Sequence, residues 1–291
     1  MMIQWFPGHM AKAKRQIIEK VKLVDLVMEL LDARIPLSSR NPMIDEMVKG
    51  KPRLILLNKS DLADSIITNE WVEFFKKQGI RALPISSTTG KGIKSMITAS
   101  EELVAEKKEA LMRKGINKRA IRAMILGIPN VGKSSLINRL AGRIVARIGD
   151  KPGVTKGQQW IKVGTSLELL DTPGILWPRF EDQEVGLRLA VTGAIKDEIL
   201  HFDEIALFVI KYFAKYYPDR LKERYQLGEL HDDPVEMIKQ IGKLRGFLIS
   251  GGEIDFDRTA EMIVRELRTG KLGPYSLERP TIEPKPNTNT I

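Results

Sequence analysis

Gly127-Ile128-Pro129-Asn130-Val131-Gly132-Lys133-Ser134-Ser135 places two glycines, a lysine and two hydroxyls in the spacing G-x-x-x-x-G-K-[ST]. Glycines let a backbone curl so that successive N–H groups point inward on a phosphate. In such a cradle, here Asn130 to Ser135, Lys133 reaches the β- and γ-phosphates and the Ser134 hydroxyl ligates Mg²⁺. The flanks agree with that chemistry. Ile121 to Leu126 is an apolar run suited to a buried strand, and Ser134 to Ala141 opens a helix. A chance match on an ordinary turn would lack both. The stretch reads as a nucleotide-binding P-loop.

Four further stretches carry chemistry, three of them at the end of an expected strand. Asn58-Lys59-Ser60-Asp61 follows the apolar run Arg53 to Leu57. In this pattern an Asp carboxylate accepts from guanine N1–H and the 2-amino group, an Asn contacts the Hoogsteen edge and a Lys lies along the ring. Adenine would leave Asp61 unpaired, a costly state that rejects the wrong base. Ser86-Ser87 resembles a loop whose backbone amide reads guanine O6. Thr155, in a polar segment after the P-loop helix, is placed like a threonine that joins Mg²⁺ when the γ-phosphate is present; a capping or turn role is the alternative. Asp171-Thr172-Pro173-Gly174 is a strand-end motif in which Asp171 holds Mg²⁺ through water and the Gly174 N–H senses the γ-phosphate.

Together these are the signatures of a GTPase domain in rotated order, with the base-reading motifs ahead of the P-loop. The chain resembles the circularly permuted GTPases, most closely those of the ribosome biogenesis GTPase A (YlqF) type. The likeness covers the full length, including Phe6-Pro7-Gly8-His9-Met10 and the C-terminal half. It implies a GTP hydrolase with Mg²⁺ that binds GTP or GDP and the precursor of the large ribosomal subunit, rRNA and ribosomal proteins included. It further implies hydrolysis stimulated by the subunit and coupled to release. Where many GTPases position water with a Gln after DxxG, this chain has Ile175, so intrinsic turnover is expected to be slow. Three substitutes are open. His9, by the resemblance, could swing to the γ-phosphate as a catalytic residue; its alternative is a surface or RNA-contact role. Asn130 matches an asparagine that helps hold K⁺ in K⁺-stimulated relatives. A partner could supply the missing group. Other functions stay open too: a GTP-gated RNA-binding protein, or an RNA-modification GTPase acting away from the ribosome. An ATPase or kinase is disfavoured by Asn58 to Asp61.

The elements that must position these motifs alternate strand and helix. Expected strands are Leu23 to Leu31, Arg53 to Leu57, Ala82 to Ile85, Ile121 to Leu126, Gln158 to Val163 and Ser166 to Leu170. Gly92 to Arg113 reads as one long charged helix. The pattern predicts an α/β fold: a permuted P-loop GTPase domain on a mostly parallel six-stranded sheet, followed by an all-α domain. The expected boundary gives residues 1–177 to the GTPase domain and 178–291 to a helical RNA- or ribosome-interaction domain, loosely ordered from about 279. Expected helices there are Gln183 to Ile195, Glu198 to Tyr217, Arg220 to Leu227, Val235 to Arg245 and Asp257 to Thr269.

Composition bounds the rest. At 291 residues the prior is about two domains. There is no cysteine, so disulfides and Cys-ligated zinc are excluded. No apolar run is long enough to span a bilayer, and the first residues lack signal-peptide order. The expectation is a cytoplasmic monomer with no membrane partner. The formal charge of +10 is uneven: residues 1–177 hold 30 Lys/Arg against 17 Asp/Glu, and residues 178–291 hold 17 against 20. A nucleotide occupies only one or two of those charges, so the surplus points to a polyanion.

Overall fold

The structure, a computed structural model, describes residues 9–115, 119–146, 159–177, 180 and 182–280. Six strands form one sheet: β1 (Leu26–Asp32), β2 (Arg53–Asn58), β3 (Arg81–Pro84), β4 (Ile121–Gly127), β5 (Gln159–Val163) and β6 (Leu167–Asp171). Their order is β3-β2-β1-β4-β6-β5. All neighbours are parallel except the β5–β6 hairpin. β1 is buried along its whole length, as a central strand covered on both faces must be.

The chain leaves the centre in two directions, through β2 and β3 on one side and β6 and β5 on the other. That reversal between β1 and β4 opens a crevice at their carboxyl ends, where ligands of such sheets bind. Register fixes what lines it. Leu30 pairs with Gly127, bringing the end of β1 beside the P-loop, and Asp32 pairs with Asn58.

The period of two along each strand separates the two faces. Leu31, Ile55 and Leu57 pack on Trp71 and Phe75 of α3 (Ser65–Lys77), whose first turn is capped by the Asp64 carboxylate. Leu30, Leu54 and Leu56 face the opposite way, into a cluster that includes Met96 and Ala99 of α4 (Ile93–Leu103). The other helices here are α1 (His9–Lys20), α2 (Met43–Met47), α5 (Ala105–Arg113) and α6 (Lys133–Ala141).

The single helix expected over Gly92 to Arg113 is two. Val104 leaves helical geometry at φ −112° and buries its side chain, which divides α4 from α5.

Among the described residues after Trp177 the regular elements are mostly helices: α7 (Gln183–Val191), α8 (Phe202–Tyr216), α9 (Pro218–Tyr225), α10 (Pro234–Leu244) and α11 (Phe256–Arg268). The expected helix from Glu198 begins instead as a 3₁₀ turn, Asp197–Ile199, and extended backbone at Leu200 and His201 separates it from α8. α8 is the hub and touches α7, α9, α10 and α11. Val191 and Ile195 lie in the same buried apolar cluster as β4. Past α11, residues 274–278 return to the sheet, and Tyr275, Ser276 and Leu277 are fully buried there. The tail expected from about 279 lies, beyond Pro280, outside the described residues.

Candidate nucleotide-binding site

The P-loop turns sharply between β4 and α6. Gly132 has φ +102°, and a Cβ there would lie 2.2 Å from Asn58 Nδ2, so only glycine fits. Lys133 is buried and donates from Nζ to the Gly127 and Ile128 carbonyls at 3.1 and 2.7 Å. Burial pushes its amine down to about 8, against the opposing pull of Asp171. Ser134 and Ser135 sit half-buried on the first turn of α6. Asn130, at φ +56°, donates from Nδ2 to the Gly193 carbonyl at 2.7 Å, which joins the P-loop to the turn after α7.

The end of β6 lies against this loop. Asp171 is buried, and its Oδ1 has no hydrogen-bond partner among the described residues. Burial pushes its carboxyl up to about 6, with the Lys133 charge and the Thr172 N–H acting the other way. Thr172 donates from Oγ1 to the Ile125 carbonyl at 2.6 Å, tying β6 to β4. A Cβ on Gly174 would lie 2.7 Å from Pro129 N, so this turn touches P-loop backbone directly. Ile175 donates its N–H to Gly127 O at 3.2 Å, accepts from Asn41 Nδ2 at 3.1 Å, and is 3% exposed. The orphaned Asp171 oxygen and the Ser134 hydroxyl are hard oxygen donors of the kind Mg²⁺ takes. These residues fit the ion.

The Asn58–Asp61 and Ser86–Ser87 stretches form the opposite wall. Asn58 is buried; it donates from Nδ2 to Val131 O at 2.7 Å, and its Oδ1 accepts from Ser87 N and Oγ at 3.0 and 2.9 Å. These bonds make Asn58 a bridge between the P-loop and the Ser86–Ser87 loop. Lys59 adopts a left-handed φ of +61° and pairs through Nζ with Asp32 Oδ2 at 3.1 Å. Burial pushes the Lys59 amine down, while Asp32 pulls it back up. Ser60 donates its N–H to Ile85 O at 3.1 Å, and Asp61 is exposed beyond it. Ser86 is fully buried, and its Oγ accepts from Thr89 N at 3.0 Å. Arg139 of α6 braces this loop from Nε to Ser87 O at 3.0 Å and through a second bond to Thr88 O.

Asn58 to Asp61, Ser86, Ser87, Asn130 to Ser135 and Asp171 to Gly174 thus meet at the carboxyl ends of the sheet. The His9 side chain and Thr155 lie outside the described residues. Asn41, Arg139 and Gly193 are supporting residues that motif spacing does not reveal, since their partners lie far along the chain, and Asp32 is joined to the site by Lys59, 27 residues on. Asp32-Ala33-Arg34 follows directly on the expected strand Leu23 to Leu31, and charges at the end of such an apolar run are the one local signal for Asp32.

Comparisons with known proteins point to one family. Residues 122–240 match the family described as "50S ribosome-binding GTPase". The chain is 59% identical to ribosome biogenesis GTPase A of Bacillus cereus, covering 96% of this chain and 95% of that one. It is 56% identical to the protein of that name from Priestia megaterium (98% and 100% covered) and 35% identical to that of Thermotoga maritima (96% and 95%). Among solved structures, GDP-bound TM YlqF superposes with a TM-score of 0.64 at 28% identity, covering 91% of this chain and 99% of that one. GNP-bound YlqF from T. maritima gives 0.62 at 30% identity, with 92% and 98% covered.

Proposed function

The chain belongs to the ribosome biogenesis GTPase A family, and from that premise we propose that it acts in assembly of the large ribosomal subunit. It is a GTP hydrolase, and GTPases of this kind use Mg²⁺. In our reading the subunit precursor, through rRNA and ribosomal proteins, stimulates hydrolysis, and hydrolysis releases the protein. It works as a monomer in the cytoplasm. Residues 1–177 carry the nucleotide, and residues 178–291 contribute to subunit contact.

The observation that carries the reading is the hydrogen bond from Asn130 of the P-loop to Gly193. It gives the nucleotide loop a direct hold on the helical portion, so the two can respond to one another. Within that portion the lining of a cavity of about 730 Å³ includes four cations, Arg220, Arg224, Arg245 and Lys271, and one carboxylate, Glu223. Arg220 lies over the Tyr217 ring at 4.6 Å and Arg224 is paired with Glu266, which holds both guanidinium groups in place at the cavity wall. Clustering of this kind accommodates an RNA backbone despite the acidic balance of residues 178–291.

At the site, Asn58 to Asp61 and the Ser86–Ser87 loop bind guanine, and Asn130 to Ser135 bind the phosphates. Ser134, Thr155 and Asp171 are assigned to Mg²⁺, and Gly174 to the γ-phosphate. When bound, the ion supplies positive charge to the phosphate oxygens. His9 is assigned to orient water, and Asn130 to K⁺. Buried, apolar Ile175 favours a second reading, a GTP-gated RNA-binding protein whose hydrolysis is incidental.

Co-sedimentation with ribosomal subunits and precursors, in GDP and in a non-hydrolysable GTP analogue, tests the proposal. Retention on the large-subunit precursor with the analogue and loss with GDP is expected; equal retention would overturn it. Single-turnover hydrolysis separates the two readings. Acceleration by subunits that His9→Ala abolishes, with GTP binding preserved, supports the first; no acceleration supports the second.

A further inference from the structure

The loop assigned to guanine is supported from behind by a segment more than two hundred residues away. Asp32 receives Arg34 as a planar fork, Nε on Oδ1 at 2.8 Å and Nη2 on Oδ2 at 2.7 Å, together with the Arg34 N–H at 3.1 Å. The same Oδ2 takes Lys59 Nζ at 3.1 Å. The remaining terminal nitrogen of the fork, Nη1, donates to the Tyr275 hydroxyl at 2.9 Å. Arg34 is 1% exposed and Tyr275 fully buried, so no water competes for these bonds. Burial pushes the Tyr275 phenol up to about 12, and at neutral pH it stays an uncharged acceptor. Because a guanidinium is rigid and planar, fixing Nη1 fixes the plane of the Asp32 carboxylate and with it the seat of Lys59.

A second set of contacts reaches the other end of the loop. Tyr275 donates its N–H to Leu62 O at 3.0 Å, and Leu62 directly follows Asp61. A Cβ on Gly270 would lie 2.7 Å from Leu62 Cδ2, so the turn after α11 presses on the same residue. The segment is anchored further on. Leu277 donates its N–H to Arg34 O at 2.8 Å, the Glu278 carboxylate accepts from Ser38 N and Oγ at 3.0 and 2.8 Å, and Trp71 Nε1 donates to Glu278 O at 3.3 Å.

We propose that Tyr275 is a positioning residue for guanine recognition: through Arg34 and Asp32 it seats Lys59, and through the Leu62 carbonyl it holds the turn that carries Asp61. Affinity for GDP and GTP then depends on docking of residues 270–278, and by linkage bound nucleotide tightens that docking in return. The inference rests on the assignment of Asn58 to Asp61 to guanine.

The test titrates fluorescent GDP and XDP into the full-length wild type, Tyr275→Phe and Asp61→Asn. Tyr275→Phe keeps the buried ring and removes only the hydroxyl. Its affinity for GDP and GTP falls by about fivefold, at the low end of typical site-to-site coupling, while kcat at saturating GTP is unchanged. Wild-type affinity in Tyr275→Phe overturns the proposal. Asp61→Asn checks the premise separately: it shifts preference from GDP to XDP if the base assignment holds, and leaves it unchanged if that assignment fails. Hydrogen exchange of residues 270–278 in the wild type covers the case of a poorly folded variant. Slower exchange with saturating GDP supports the coupling, and identical exchange with and without GDP overturns it.

Discussion

Ile175 shows how one residue constrains the chemistry. It follows the Asp171–Gly174 turn, where a glutamine would orient water, yet its side chain points into the core and its backbone is tied to Gly127 and Asn41. A glutamine placed there would bury an amide with no partner, a cost of about 1–3 kcal/mol. Ile175→Gln is therefore expected to lower the stability measured by urea unfolding by that amount and not to raise single-turnover hydrolysis. A fast Ile175→Gln enzyme would show that the position faces the phosphates after all. Lys133 and Asp171 illustrate the same economy of neighbours: each is held away from its ordinary protonation range chiefly by burial, and each is the other's nearest compensation.

At the scale of elements, the site is a set of strand ends held at close spacing by side-chain bridges. Asn58 at the end of β2 reaches both the P-loop and the Ser86–Ser87 loop, and Arg139 of α6 reaches the latter from the other side. The Asn58 bridge requires that Gly132 have no Cβ. Gly132→Ala would strain a left-handed residue by about 1–2 kcal/mol and drive the methyl into the Asn58 amide. We expect this variant to lose fluorescent-GDP binding by at least about 100-fold, because the N–H groups of the cradle lose their alignment. Binding near the wild-type level would mean that α6 and β2 move apart without cost.

For the whole molecule, the pair Asp32 and Arg34 joins the first strand to the last described segment. The Arg34 and Lys59 cations hold the Asp32 carboxyl well below the usual carboxylate range, outweighing its desolvation by burial. A depressed acid contributes stability above the pKa of the unfolded chain, about 4, and loses it as pH falls. Asp32→Asn leaves buried Arg34 unpaired, so a deficit of about 3–5 kcal/mol is expected at pH 7. The difference between wild type and Asp32→Asn in urea melts should shrink below about pH 4, where the carboxylate contribution fades. A deficit constant from pH 7 to pH 3 would exclude that electrostatic origin. Glu29 and Glu278, which burial pushes upward, act with the opposite sign, so the comparison has to be made against the variant.

The sequence by itself determined the strands, the strand-end motifs and their rotated order, because each is written in neighbouring residues. Arg53 to Leu57 reads as a buried strand from its own apolar run, and Gly127 to Ser135 reads as a phosphate cradle from its own spacing. Local pattern also mistook two helices for unbroken ones, since the burial of Val104 and the extended backbone at Leu200 and His201 answer to packing rather than periodicity. What only the tertiary structure decided is how the motifs are held. The Arg34–Tyr275 bond spans 241 residues, and Asn130 meets Gly193 across 63. Nothing in the chemistry of one stretch names its partner at that distance. Those pairings arise when the sheet and the helical portion close on a common core, and they place the Asn58–Asp61 loop on the C-terminal segment.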